Sequence, residues 1–141
     1  MNQSIIPSRH PDPWVDFIRS YVTLAALELL AGGLDVKRSH LDPRDPRDAT
    51  IVCASPTRDS PGQEEAFVWD EVTGWRRGRY LGGRQGVRTE LADVSYLGGG
   101  VLLDPAELAN RAVKGVTAPR PRYRSAVDVR DGLDDALREI L

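Results

Sequence analysis

One segment constrains the fold more than any other: the run PWVDFIRSYVTLAALELLA, which lies between Asp12 and the pair Gly32-Gly33. Aspartate before proline supplies a side-chain acceptor for the free amides of a helix start, and proline presets the first helical dihedral. Glycine accepts the left-handed conformation that closes a helix. Between these signals Trp14, Ile18, Tyr21, Val22, Ala25 and Leu29 recur at three- and four-residue intervals, with Asp16, Arg19, Ser20 and Thr23 on the other side. The spacing predicts one long amphipathic helix with a single face on a core. Leu27 and Leu30 fall toward the polar side, which points to a second contact, with another helix or a partner subunit, or else to burial within the chain.

The rest of the chain is punctuated by most of its 13 glycines and 10 prolines, so its elements must be short. Residues 34–41 and 49–54 (ATIVCA) read as strands, separated by the rigid turn DPRDPRD at 42–48. After a polar loop at 55–65, segments 66–69 and 75–81 flank DEVTG and read as a β-hairpin with Gly74 in its turn. Residues 82–90 are glycine-rich and polar and predict a mobile loop, and 93–97 a short strand. Asp104-Pro105 repeats the helix-start pattern, with Glu107 placed for a capping box and Gly115 at the end. TAPRPRY at 117–123 reads as a linker, and Ser125 as the cap of a last helix carrying Val129, Leu133, Ala136, Leu137 and Ile140 on one side. Gly132 weakens that helix by about 1 kcal/mol relative to alanine, so it needs a surface to dock on.

The expected class is therefore α+β. A long N-terminal helix packs on a small, mainly antiparallel sheet of three to five strands, followed by a second helix after the glycine turn and an additional C-terminal helix. The expected organisation is a flexible N-terminus at 1–11, one domain at 12–116, a linker at 117–124 and a C-terminal amphipathic helix at 125–141.

Composition removes several function classes. With 19 basic against 21 acidic residues the net charge is −2, which argues against a general nucleic-acid binder. One cysteine cannot form an internal disulfide, and two histidines with that cysteine do not make a usual structural zinc site, so neither metal nor cofactor is expected. Asp16, Arg19 and Glu28 interrupt the apolar stretch, and the N-terminus lacks the order of a signal peptide, which argues against a membrane and for a cytoplasmic setting.

Gly98-Gly99-Gly100 is followed by Val101, Leu102 and Leu103 rather than by the Lys and Ser/Thr of a phosphate loop. Asp42, Asp45 and Asp48 recur at spacing three, yet Arg44 and Arg47 compete as counter-ions, and the glycine and terminal glutamate of a calcium loop are missing. His40 and Cys53 could meet only if their strands are neighbours. No set of nucleophile, base and oxyanion donors emerges. The densest positive patch is Arg76, Arg77, Arg79, Arg84 and Arg88 beside Trp75 and Tyr80, either an anion site or a solvated face paired with Glu64, Glu65, Asp70 and Glu71.

Three motifs occur in order: DPRDATI at 45–51, VWDEVTGW at 68–75 and YLGGGVLLDP at 96–105. Together they resemble a family of small actinobacterial domains of unknown function, over roughly residues 14–116. The resemblance implies a single cytoplasmic domain and carries no established activity or catalytic residue. The chain departs from the pattern at 84–93 and in its added C-terminal helix.

The leading expectation is a non-enzymatic protein-binding or regulatory module, meeting a protein partner or a second copy through Leu133, Leu137 and Ile140. The alternative is a small-ligand or nucleotide-binding protein, with or without catalysis. It would hold a small anion on Trp75, Arg76, Arg77, Arg79 and Tyr80, with Gly98, Gly99 and Gly100.

Overall fold

The structure, a computed structural model, describes residues 4–43, 46–54, 63–124 and 132–140. The Asp12 carboxylate accepts the Trp14 amide at 3.0 Å and starts helix α1, Pro13–Asp16. That helix stops after one turn, and α2 runs Arg19–Ala31, so the single long helix expected from the sequence is corrected to two. The break has local causes. Ile18 donates its amide to Val15 O in a tightened turn, while the Asp16 carboxylate takes the His10 amide and Arg19 Nε. Val15 and Ile18 are both buried in the core across the break.

Five antiparallel strands follow in sequential order: β1 (Val36–Leu41), β2 (Asp48–Ala54), β3 (Glu64–Asp70), β4 (Gly74–Arg84) and β5 (Val87–Tyr96). The α+β expectation holds, with the sheet at its upper strand count. In the β3–β4 turn the Asp70 carboxylate accepts the amides of Val72 and Thr73. Gly74 there has φ +72°, and a Cβ on it would stand 2.9 Å from Gly100 O, so the sequence's glycine meets both a conformational and a steric demand. The loop expected at 82–90 is instead the end of a long hairpin, because β4 and β5 stay paired from Arg76 with Tyr96 to Arg84 with Val87. Three register shifts along the pair supply the bending that a glycine-rich strand permits.

Both faces of the sheet are covered by the chain itself. On one, Ile51, Cys53, Phe67, Trp69 and Trp75 pack against α2 and α3 (Pro105–Lys114). The polar atoms buried there are paired: Trp75 Nε1 donates to Tyr21 Oη at 3.0 Å, Tyr21 Oη to Leu103 O at 2.5 Å, and Trp69 Nε1 to Val101 O at 2.6 Å. On the other face Val52, Ala66 and Val68 meet Tyr80 and Leu91 of the β4–β5 hairpin, which folds across them. Gly78 sits at the fold, where a Cβ would stand 2.7 Å from Ala92 O and 3.3 Å from Leu91 Cβ. We expect Gly78→Val to destabilise the protein by about 1–3 kcal/mol in urea unfolding, through overpacking against backbone. A neutral result would show that the hairpin does not close on this residue.

α3 begins where the sequence indicated, with the Asp104 carboxylate accepting the Glu107 amide at 3.3 Å. The reciprocal half of the capping box is replaced by an ion pair from Glu107 to Arg111 at 3.1 Å. The extended segment at 117–123 is pinned rather than loose: Ala118 N donates to Tyr96 O, and Tyr123 N to Val72 O. The last helix, α4, covers Leu133–Arg138, with Gly132 at φ +91° as its N-cap rather than in its interior. Ser125 and Val129 lie outside the described residues.

Leu133 and Leu137, expected to face a partner, are 5% and 1% exposed within the main core, and Ile140 packs against it. Their apolar side is covered by the protein itself.

Candidate functional site

The predicted anion site does not assemble. Strand alternation sends Trp75 and Arg77 to the helix-covered face and Arg76 and Tyr80 to the opposite one. Trp75 is fully buried. Arg77 stacks over the Phe67 ring at 4.7 Å, pairs with Glu65 at 2.9 Å and donates to Ala112 O near the end of α3. Arg76 pairs with Asp70 at 2.6 Å, and Tyr80 donates to Gly83 O while Arg38 stacks on its ring. Arg79 alone of the group is half exposed, at 3.7 Å from Asp93, beside a hollow of about 280 Å³ that Glu64 and Glu65 also line. Four of the predicted side chains are thus engaged with the chain itself.

The glycine turn is likewise filled from within. The Arg111 guanidinium approaches the sites a Cβ would take on Gly98 and Gly99, Arg111 Nη1 donates to Leu97 O, and Gly100 N donates to Tyr123 Oη. His40 and Cys53 lie on opposite faces of the sheet, against Thr50 and Val36 respectively. Burial pushes the Cys53 thiol up to about 12, so it is an inert core thiol. Among the described residues no group of three or more His, Cys, Asp or Glu is placed to hold a metal ion, and no helix is long and apolar enough to cross a membrane.

Two features stand out instead. The first is the outward side of α2. Leu24, Leu27 and Leu30 are 43%, 46% and 42% exposed on a helix whose other side, Tyr21, Val22, Ala25, Ala26 and Leu29, is core. On a helical wheel the outward arc is completed by Ser20, Thr23 and Ala31 and contains no charge. The helix's two charged residues, Arg19 and Glu28, stand to either side, with Arg19 paired to Asp16. Beside this ridge a shallow hollow of about 310 Å³ runs between α2 and α3, lined by Ala31, Gly32, Ala106, Ala109 and Val113 among others. The sequence signal for this surface was the off-phase placement of Leu27 and Leu30; Leu24 completes it.

The second is a polar cluster at one end of the hairpin-covered face. His40, Asp42, Asp48, Thr50 and Thr89 are all buried there. Thr50 Oγ1 donates to Asp42 Oδ2 at 2.9 Å and lies 2.6 Å from Thr89 Oγ1, while Arg88 reaches Asp48 Oδ2 at 2.5 Å. His40 Nδ1 is 3.0 Å from Asp42 Oδ1 but out of line for a hydrogen bond, and both ring nitrogens, Asp42 Oδ1 and Asp48 Oδ1 are without one. Desolvation, then the charge of Asp42 and a hydrogen bond to it, push the Asp48 carboxyl up to about 9 against the opposing pull of Arg88 and Arg76. The sequence offered Asp42 and Asp48 only as members of an aspartate run; the β1–β2 pairing is what sets them side by side.

The architecture defines the chain as an α+β domain in which a five-strand meander is covered by helices on one face and by its own last hairpin on the other. The chain belongs to the family of unknown function DUF6292, whose model matches residues 21–114. Comparison with curated proteins and with solved structures returns no match. The matched span takes in most of α2, the entire sheet and α3, and leaves α1 and α4 outside it.

Proposed function

We propose that this protein is a non-enzymatic protein-binding module that docks an apolar surface of its partner on the outward side of α2. The observation that carries the reading is the uncharged ridge of Leu24, Leu27 and Leu30. A helix side that serves only as solvent contact carries charged residues, and contiguous exposed apolar surface marks interaction sites. The adjoining hollow between α2 and α3 gives a partner helix or loop a groove to enter. Covering what remains exposed of three leucines is worth roughly 5–6 kcal/mol, at about 25 cal/mol per Å². That range suits a reversible complex whose remaining affinity comes from the groove and rim. A cytoplasmic setting is part of the proposal, in keeping with the free thiol of Cys53.

A small-ligand role ranks second. Arg79 is a half-exposed cation beside a hollow, and Glu64, Glu65 and Asp93 oppose an anion there. Native mass spectrometry of the protein recovered gently from its own host's extract separates these readings. We expect a second polypeptide at fixed stoichiometry with the natural sequence and its loss with Leu27→Glu, the variant retaining its melting temperature because Leu27 is outside the core. Equal recovery by both proteins, or a small retained mass in place of a polypeptide, would overturn the reading.

A further inference from the structure

Several of the contacts that fasten the end of the β4–β5 hairpin surround the buried polar cluster. Gly86 N donates to Leu41 O at 3.0 Å, and Leu41 N to Gln85 Oε1 at 2.9 Å. Thr89 meets Thr50, Arg88 reaches Asp48 and donates to Pro43 O and Pro46 O, and Gln85 Nε2 donates to Ser8 O and Arg9 O. Beneath the hairpin lie Val52, Ala66 and Val68, which are covered by Tyr80 and Leu91.

We propose that Asp42 and Asp48 form a proton-operated latch: the hairpin end seats while a proton lies between the two carboxyls and lifts when both are ionised, opening the second apolar face of the sheet. The geometry carries this. Asp42 is fully buried, Asp48 is 1% exposed, and each has one carboxyl oxygen that receives no hydrogen bond. A proton on Asp48 supplies the donor that this arrangement lacks. Without it, two charges share a site that excludes water, which like-charge repulsion and desolvation both oppose. Among the described residues the charged or titratable groups facing the pair are His40 from β1, Asp70 from β3 (the register partner of Asp48, paired with Arg76), Arg76 from β4 and Arg88 from β5. Arg88 rides on the hairpin and pairs with Asp48, so its attraction opposes the lift, which desolvation and the repulsion between the two carboxylates drive.

The sign follows from linkage. The folded chain holds a proton on Asp48 that the unfolded chain gives up in the ordinary carboxylate range, so this group's contribution to stability falls as pH rises from about 4 toward about 9 and then levels off. Carboxyl-carbon NMR of the full chain from acid to alkaline pH, with hydrogen exchange at Gly86 N and Leu41 N, tests the latch. One aspartate carboxyl should titrate above neutrality and vanish from the spectrum series of Asp48→Asn. Protection at the two amides, corrected for intrinsic base catalysis, should drop about tenfold or more over the same pH window in the natural protein and stay level in Asp48→Asn. Asp42→Asn, which keeps Asp48 but removes its neighbour's charge, should move that titration down. Titration of every aspartate below neutrality, or the same pH course of protection with and without Asp48, would overturn the proposal.

Discussion

Replacing Arg47 with alanine is expected to cost roughly 3–5 kcal/mol of stability, the range for stripping one partner from a buried ion pair. Arg47 is fully buried. Its backbone N and Nε donate to Glu71 Oε2 at 2.5 and 3.1 Å, and its Nη2 to Glu71 Oε1 at 3.2 Å and Asp134 Oδ1 at 2.9 Å. The guanidinium plane lies over the Trp14 ring at 4.0 Å. Arg124 adds a second cation on Glu71 at 2.5 Å. One side chain thus joins α1, the entry to β2, the β3–β4 turn and α4. The alanine variant leaves Asp134 short of a cation and Glu71, only 3% exposed at its side chain, with Arg124 alone. Lysine does not rescue this site, because a point charge cannot reproduce the forked contacts or the stacking. Urea unfolding at neutral pH measures the effect, and a loss below about 1 kcal/mol would show that the network is not what holds these parts together.

Leu137→Ala is expected to cost about 2–5 kcal/mol, the range for emptying a fully buried leucine site. The size of the effect matters because α4 is only six residues long and has no side-chain N-cap bond, so it cannot persist without its contacts. Its stability is therefore that of the core it enters through Leu133 and Leu137. The same substitution in a helix presented to a partner would leave the isolated protein's stability unchanged. A thermal or urea midpoint equal to that of the natural sequence would return α4 to the role of a free docking element.

The sequence made the elements legible where local chemistry decides them. Asp12 and Asp104 cap helices at the indicated places, Gly115 closes α3, and the strand pair around Gly74 turns through Asp70 as composition suggested. What composition could not show was long-range bending. Glycines in residues 82–90 read equally well as a loop or as a bulged strand, and only pairing with β5 and docking over Val52 and Val68 decide between them. The arginine cluster does not gather on one side of the sheet. Neighbours in sequence on a strand point to opposite faces, so Arg76 and Arg77 could not share a ligand unless the strand ended between them. Arg47 read as a counter-ion for the aspartates beside it, yet it serves Glu71 and Asp134, which lie 24 and 87 positions away. The α2 ridge was partly legible, because Leu27 and Leu30 broke the helical pattern and neither is needed by the core.

The outward side of α2 as a protein-binding surface is the central claim, and site-specific photo-crosslinking addresses it most directly. A photoreactive residue is placed at Leu27, and as a control at exposed Arg84 on the hairpin. Each protein is irradiated in an extract of the natural host. The account predicts a discrete covalent adduct of one added polypeptide from position 27 and none from position 84. No adduct from position 27, or the same diffuse set from both positions, would contradict it.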